Sequence, residues 1–272
     1  MPVEPMPPRG LSVVIPVYNE RETLGGLLIA VAQALPGISK ELVIVDDCST
    51  DGTRDWLKRN LPEDRAEAAS LSLSASGDLD FVPGPGLSLR VIYHQRNLGK
   101  GGAVRSGFAA ISGEIAVIQD ADLEYDIDDY DILLDPLYRN RAAFVLGVRH
   151  GRHGDSWKMR HFEDQFAVSQ VMNLGHLFFT GLFNVVYGQR MSDPFTMFKV
   201  FRRDCIDGVA FECNRFDFDW ELVAKLVRRG YAPVEIPVNY ASRSFTEGKK
   251  VAFFRDPLTW IRACIKYRFV KV

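Results

Sequence analysis

The densest chemistry in the chain is Val117-Ile-Gln-Asp-Ala-Asp-Leu-Glu-Tyr-Asp126, where an apolar run ends in Asp120, Asp122 and Glu124. Two carboxylates about 4 Å apart repel by about 4 kcal/mol at an effective dielectric of about 20, so convergence of these acids needs a compensating charge. A divalent cation is the commonest one. The rival reading is a solvated acidic turn, and this stretch alone does not decide between the two.

Other chemically capable residues fall at similar places. Asn19 follows the apolar run Leu11 to Val17, and Asp46 and Asp47 follow Glu41 to Val45. Gly99 follows Leu89 to Tyr93, Asp120 and Asp122 follow Ile115 to Gln119, and Arg149 follows Phe144 to Val148. Short apolar, β-branched runs predict strands. Between them, Leu24, Leu27, Leu28, Val31 and Leu35 recur at helical spacing, and helices are predicted over Thr53 to Arg59, from the glycine-rich Asn97-Leu-Gly-Lys-Gly-Gly-Ala103 to Ile111, and over Tyr130 to Arg139. Alternating strands and helices predict an α/β fold with a mainly parallel sheet covered on both faces. In such sheets ligands bind beyond the carboxyl ends of the strands, so these separated residues can line one crevice.

The rest of the chain bounds the reading. At 272 residues and 47% hydrophobic, it can bury a full core, and a formal net charge of -2 argues against a general nucleic-acid binder. Its four cysteines form no C-x-x-C pair, which suits a reducing compartment and gives neither a zinc site nor a disulfide framework. The proline-rich segment 1–10 reads as a flexible terminus without the apolar core of a signal peptide, so a cytoplasmic chain is expected. Segment 62–88 is rich in Ser, Ala, Gly and Pro and reads as a surface insertion without regular structure. Phe166 to Tyr187 carries no charge, but its Asn, Gln, His and Thr residues make it a buried or interfacial helix rather than a membrane span. His150, His153 and His161 match no standard metal spacing.

Asn97 to Ala103 is neither G-x-G-x-x-G nor G-x-x-x-x-G-K-[ST], so the dinucleotide and P-loop readings lack their motif. Acids must then handle a nucleotide: Asp46 or Asp47 can accept hydrogen bonds from a base or ribose, while a cation on Asp120 and Asp122 bridges a diphosphate.

Val14-Ile-Pro-Val-Tyr-Asn-Glu20, Val45-Asp-Asp-Cys-Ser-Thr-Asp-Gly-Thr53, Asn97 to Ala103 and Asp120-Ala-Asp122, in that order, resemble the family 2 glycosyltransferases of GT-A fold. Farther on, Ser192-Asp-Pro-Phe-Thr-Met-Phe-Lys-Val-Phe-Arg-Arg203, Phe216-Asp-Phe-Asp-Trp-Glu221 and Ile236 to Lys250 resemble the dolichyl- or polyprenyl-phosphate sugar synthases of that family. The resemblance implies a GT-A domain over 11–250, Mg²⁺ or Mn²⁺ on Asp120, Asp122 and Glu124, and a nucleoside held by Pro16, Tyr18, Glu20 and Asp46. Asp47, Lys100, Asp120 and Ala121 join the donor side. Arg149, Arg243 and Lys249 are implied as ligands of the acceptor phosphate, with Asp122, Arg243 and Lys249 the catalytic set. The sequence departs from many relatives at Glu124, where glutamine is common, and at Pro194-Phe195-Thr196.

The implied reaction moves a hexose from a GDP-mannose or UDP-glucose type of donor onto a polyprenyl phosphate. A phosphomonoester with a second pKa near 6 is largely anionic at neutral pH and can attack without a protein base. A sugar hydroxyl acceptor would need a positioned carboxylate. In-line attack inverts the anomeric centre. Asp217, Asp219 and Glu221 read as an ordinary acidic first turn of a helix, with Glu221 the candidate exception. Transfer to a soluble or cell-surface glycan and non-catalytic binding of a nucleotide sugar are the alternatives, the second disfavoured by intact Asp120 and Asp122. The segment 251–272 predicts an amphipathic helix from Pro257, with Leu258, Ile261, Ile265 and Phe269 on one face, Arg262, Lys266, Arg268 and Lys271 supplying charge, and Trp260 and Tyr267 suited to lipid headgroups. It either lies on the inner membrane surface or packs on the core. A homo-oligomer or a membrane-protein partner is left open.

Overall fold

The computed structural model describes residues 10–61, 65–149, 166–242 and 255–270. Arg243 and Lys249, the three histidines at 150, 153 and 161, and segment 1–9 lie outside the described residues.

Seven helices and eight strands are described: β1 (Leu11–Val17), α1 (Leu24–Gln33), β2 (Lys40–Asp46), α2 (Thr53–Asn60), β3 (Arg65–Leu73), β4 (Leu79–Tyr93), α3 (Lys100–Phe108), β5 (Ile115–Ile118), α4 (Tyr130–Tyr138), β6 (Phe144–Val148), α5 (Phe166–Tyr187), β7 (Lys199–Arg202), α6 (Phe218–Arg228), β8 (Val234–Pro237) and α7 (Arg255–Phe269). They build one mixed sheet in the order β3-β4-β2-β1-β5-β7-β6-β8. The run β4-β2-β1-β5 is parallel, and β7 lies antiparallel between β5 and β6.

Side chains alternate across β1. Val13, Ile15 and Val17 enter one core with Leu27, Leu28, Trp56 and Leu133, drawn from α1, α2 and α4. Val14 faces the other, with Val104, Phe183, Leu222 and Tyr267 from α3, α5, α6 and α7. Burying both sheet faces explains why β2 and β5 read as unbroken apolar runs.

Segment 65–88 differs from the irregular insertion expected. It forms an antiparallel hairpin, β3 against an extended β4, with a register shift between Ala68 and Ser70. Ala68, Leu71, Leu79 and Leu87 turn inward, and the Trp56 indole donates to Gly77 O at 3.0 Å. Small residues suffice because α1 packs closely beneath β3.

Helix α7 also differs in part. Ala263, Cys264 and Tyr267 are buried, the Tyr267 hydroxyl lies 3.2 Å from Cys213 Sγ, and Trp260 faces a cleft. The two aromatic residues expected among lipid headgroups therefore point into the protein. Leu258, Ile265 and Phe269 stay exposed, as do Val171, Leu174, Phe178 and Val185 on α5. Among the described residues no helix is long and apolar enough to cross a membrane.

Candidate active site

Chain order reverses about β1, which pairs with β2 on one side and β5 on the other. The carboxyl ends of β1 and β5 therefore open a crevice at a topological switch point. A cleft of about 570 Å³ begins there, lined by Pro16, Tyr18, Glu20, Asp47, Lys100, Asp120, Ala121, Asp122, Glu124 and Arg149. Ten of the sequence-predicted residues thus share one cavity. Asp46 does not line it.

Three residues at the strand ends hold unusual backbone: Asn19, Cys48 and Leu123 have φ of 55°, 65° and 58°. Positive φ costs a non-glycine residue about 1–2 kcal/mol, and such strain gathers at functional sites. The loops around them are laced together. Asn19 Oδ1 accepts from Thr50 N at 2.8 Å, Ser49 Oγ accepts from Asn19 N at 2.9 Å, and Thr53 Oγ1 accepts from Glu20 N at 3.1 Å.

Asp46 and Asp47 are adjacent but divide their work. Asp46 is fully buried and accepts from Arg54 Nε and Ser49 N. Arg54 also donates to His94 O at 2.6 Å, so this pair fastens β2 to α2 and to the end of β4. Asp47 accepts from Leu98 N at 2.8 Å and Gly99 N at 2.7 Å, and lies 2.7 Å from His94 Nδ1. Its carboxylate anchors the glycine-rich loop. The glycines themselves serve packing: a Cβ on Gly99, whose φ is +87°, would meet Asn214 O at 2.5 Å, and one on Gly101 would meet Phe218 Cβ at 2.6 Å.

That loop delivers Lys100 to Asp120, with which it forms an ion pair inside the cleft. Burial lowers the ammonium's pKa, but Asp120, Asp219 and Asp122 outweigh it and the net shift is upward. At Asp122 an upward shift instead disfavours the charged form. Burial, then the charges of Asp120 and Glu124, push its carboxyl up to about 7. The Tyr240 hydroxyl donates to Glu124 Oε2 at 2.7 Å, and a bridge between Tyr125 and Tyr240 ties the acid motif to the segment after β8.

Among the described residues no three histidine, cysteine or acidic side chains form a ready-made metal cage. The acids nevertheless fit a Mg²⁺-like ion, which keeps several waters and takes one or two carboxylates together with phosphate oxygens. The crowding that lifts Asp122 is what a cation there would relieve.

Arg149 lines the cleft in the grip of Asp193. The carboxylate accepts from Arg149 Nε and Nη2 at 2.8 Å each and from its backbone N at 3.2 Å, and it is fully buried. Arg149 also lies over the Tyr240 ring, 5.4 Å from the centroid. Glu235 accepts from Ser192 N and Asp193 N, fixing that loop in turn.

Two expectations about the acidic helix start are reversed. Asp219 lines the cleft, held by Lys199 Nζ at 2.8 Å, whereas Glu221 is buried away from it, paired with Lys225 and accepting from Glu212 N and Cys213 N. Sequence reading also missed Asp193 and the apolar end of the cleft, where Met172, His176, Phe179, Phe195, Trp220 and Trp260 converge. The uncharged stretch at 166–187 holds Met172, His176 and Phe179, and the motifs Ser192–Arg203 and Phe216–Glu221 hold Asp193, Phe195 and Trp220, but nothing local marked them as one cleft wall.

A mixed sheet whose central strand ends open into a cleft with an acid motif, a paired lysine and an aromatic far end is the architecture of a GT-A glycosyltransferase. The solved structures most like it include glucosyl-3-phosphoglycerate synthase from Mycobacterium tuberculosis with Mn²⁺, UDP-glucose and phosphoglyceric acid, at a TM-score of 0.62 and 19% identity, covering 97% of this chain and 81% of that one. The same enzyme with Mg²⁺ and UDP gives a TM-score of 0.61 over 97% and 81%, at 19% identity. The chain belongs to glycosyl transferase family 2, whose model matches residues 12–67 and 80–209. The gap between the matched spans falls within the β3–β4 hairpin. Among curated relatives, the undecaprenyl-phosphate 4-deoxy-4-formamido-L-arabinose transferases of Edwardsiella ictaluri and of an Enterobacter species are 29% and 28% identical over 88% of this chain. The chain spans 62% of the length of these relatives.

Proposed function

We propose that this protein transfers a hexose from a nucleoside-diphosphate sugar to a polyprenyl phosphate at a membrane surface, with inversion at the anomeric carbon. The observation that carries the reading is the continuity of one cleft from the acid motif and Lys100, past Arg149, to an apolar aromatic end. Such a cavity matches an acceptor with an anionic head and an apolar tail. The names of the curated relatives support the same acceptor class.

In this reading Pro16, Tyr18 and Glu20 border the nucleoside, and Asp46 and Asp47 act by fixing the loops around it. Lys100, held by Asp120, places a cation beside the diphosphate. Mg²⁺ or Mn²⁺ would be held by Asp122, with Asp120 and Glu124 alongside, and would neutralise charge on the departing diphosphate. Arg149 is held rigidly by Asp193 facing the cleft, and presents positive charge to the acceptor phosphate, with Arg243 and Lys249 assigned to the same phosphate from the sequence. The attacking phosphate oxygen needs no base. The exposed apolar faces of α5 and α7 support attachment to the inner membrane face, with the lipid tail leaving on that side.

A second reading has one observation in its favour. Asp219 puts a carboxylate in the cleft, which a hydroxyl acceptor on a glycan would require as base. Incubating the protein and Mn²⁺ with UDP- and GDP-sugars, with polyprenyl phosphate, with a glycan, or with neither, separates the two. Lipid-dependent release of the nucleoside diphosphate is expected. Glycan-dependent release that vanishes in Asp219→Asn would replace the first reading with the second.

A further inference from the structure

Behind the cation of the donor side runs a chain of hydrogen bonds that never enters the cleft. Lys100 opens α3, and the two amides before it, Leu98 N and Gly99 N, donate to Asp47 at 2.8 and 2.7 Å. Asp47 is held from its far side by a third group. His94 Nδ1 lies 2.7 Å from Asp47 Oδ1, and His94 Nε2 lies 2.9 Å from Ser106 Oγ, on the same helix as Lys100. The side chains of His94 and Asp47 are only 8% and 4% exposed. A carboxylate only accepts, so Nδ1 carries a proton whichever charge the ring has, and only the bond to Ser106 changes direction. The backbone of His94 is fixed as well, its N donating to Asp46 O at 2.9 Å and its O accepting from Arg54.

Aspartate, histidine and serine stand here in the order of a hydrolytic triad. Of the three, however, only Asp47 lines the cleft, so Ser106 is not placed to attack a substrate held there. The chain of bonds positions rather than reacts. Resting on the donor reading above, we infer that His94 is a positioning residue for Lys100: its ring fixes the Asp47 carboxylate, the carboxylate fixes the amides of Leu98 and Gly99, and these set the Lys100 ammonium beside the donor diphosphate. The loop needs such a tether. Residues 95–97 are exposed, and Gly99, at φ +87°, has a backbone that no side chain restrains. Lys100 itself feels three acids, Asp120, Asp219 and Asp122. A flexible four-carbon stem among three acids has several places to settle, and the backbone just before it decides which.

The test is calorimetry of UDP and GDP, in Mg²⁺, with the full chain as wild type, His94→Asn, His94→Gln, Ser106→Ala, Lys100→Met, and each of the last two His94 and Ser106 changes combined with Lys100→Met. Asparagine keeps an amide donor where Nδ1 stood and gives up Ser106, whereas glutamine reaches Ser106 and removes the donor from Asp47. For whichever nucleotide wild type binds, Kd should stay within about threefold in His94→Asn and rise about tenfold in His94→Gln, at melting temperatures close to each other. Ser106→Ala, which frees the far side of the ring, should show a smaller rise. Lys100→Met should lose at least as much as His94→Gln, and neither combined variant should lose more than Lys100→Met alone, since a residue that acts through Lys100 then has nothing left to place. Losses that multiply in the combined variants, or equal affinities of the asparagine and glutamine variants, overturn the positioning role and leave the donor site standing. Wild-type affinity in Lys100→Met takes the lysine off the diphosphate and overturns the role too. Failure of wild type to bind either nucleotide overturns the donor reading and this inference together.

Discussion

Replacing Asp193 with asparagine keeps the shape of the side chain and deletes the charge that holds Arg149. The pair is bidentate at 2.8 Å on both arms, with Asp193 at 0% and Arg149 at 7% side-chain exposure, so little water can take over the lost interaction. Removing one partner of a buried pair strands the other, at a cost of about 3 to 5 kcal/mol. At roughly 2 to 4 °C per kcal/mol for a domain of this size, the variant should melt roughly 6 to 20 °C lower. The pH dependence has a definite sign. Burial would raise the Asp193 carboxyl, but the charge and hydrogen bonds of Arg149 outweigh it and hold the group below the ordinary carboxylate range. A depressed acid contributes its stability in full above its unfolded value of about 3.9 and loses it as pH falls below that. Urea unfolding of wild type and Asp193→Asn should therefore differ by the full amount at pH 6 and by progressively less below about pH 4. Equal midpoints at pH 6, or a gap that widens on acidification, would refute the account of this pair. Use of the acceptor should also weaken in the variant, with Kd for nucleotide unchanged.

Asp122→Asn should lower kcat by two orders of magnitude or more, roughly the several kcal/mol a metal contributes to stabilising a leaving group, and excess EDTA should do the same to wild type. Because Asp122 is an acid pushed up to about 7, its ionised form opposes folding above that pH, so in EDTA at pH 8 the same variant should be more stable than wild type, by on the order of 1 kcal/mol or more. A drop in melting temperature there would count against the crowding argument. Trp56→Ala should cost about 3 to 5 kcal/mol and raise amide exchange through the β3–β4 hairpin, since the buried indole also holds Gly77 O. Replacing Leu258, Ile265 and Phe269 together with serine should abolish pelleting with anionic vesicles at unchanged melting temperature; undiminished pelleting would remove α7 from the membrane contact.

Strands β1, β2, β5 and β6 were legible because buried parallel strands are uniform apolar runs, and the acids at their ends marked the crevice. The β3–β4 hairpin was hidden by its own packing: Ala68 and alternating serines fit where α1 lies close, and small polar residues read as loop. Strand β7 escaped because its first residue, Lys199, is a fully buried charge, paired with Asp219 from a helix 20 residues away. The same distance explains the exchange of Asp219 for Glu221. Two residues two positions apart on a helix point roughly 200° from each other, so only one can face the cleft, and which one depends on the rotation of α6 against α3 and α7. Asp46 and Asp47 posed a similar choice at a strand end, settled by Arg54 and by the amides of Leu98 and Gly99. The aromatic end of the cleft had no local pattern, since Phe179, Phe195, Trp220 and Trp260 come from four separate segments.

The place of β7 bears on how the molecule comes into being during synthesis. Strands β5 and β6 are made early but do not pair with each other; both wait for residues 199–202, which enter between them. Until then the growing sheet, β3-β4-β2-β1-β5, ends in an open edge at β5, next to the acid motif, and β6 has no neighbour on that side. An unpaired apolar edge is the feature most prone to pairing with another chain. A ribosome stalled before residue 199 would therefore expose a sticky fragment with its nucleotide side largely shaped and its acceptor side lacking Asp219, Trp220 and Trp260. Arrival of a single four-residue strand closes that edge and joins β5 to β6, and Asp219, made 20 residues later, then pairs with its Lys199.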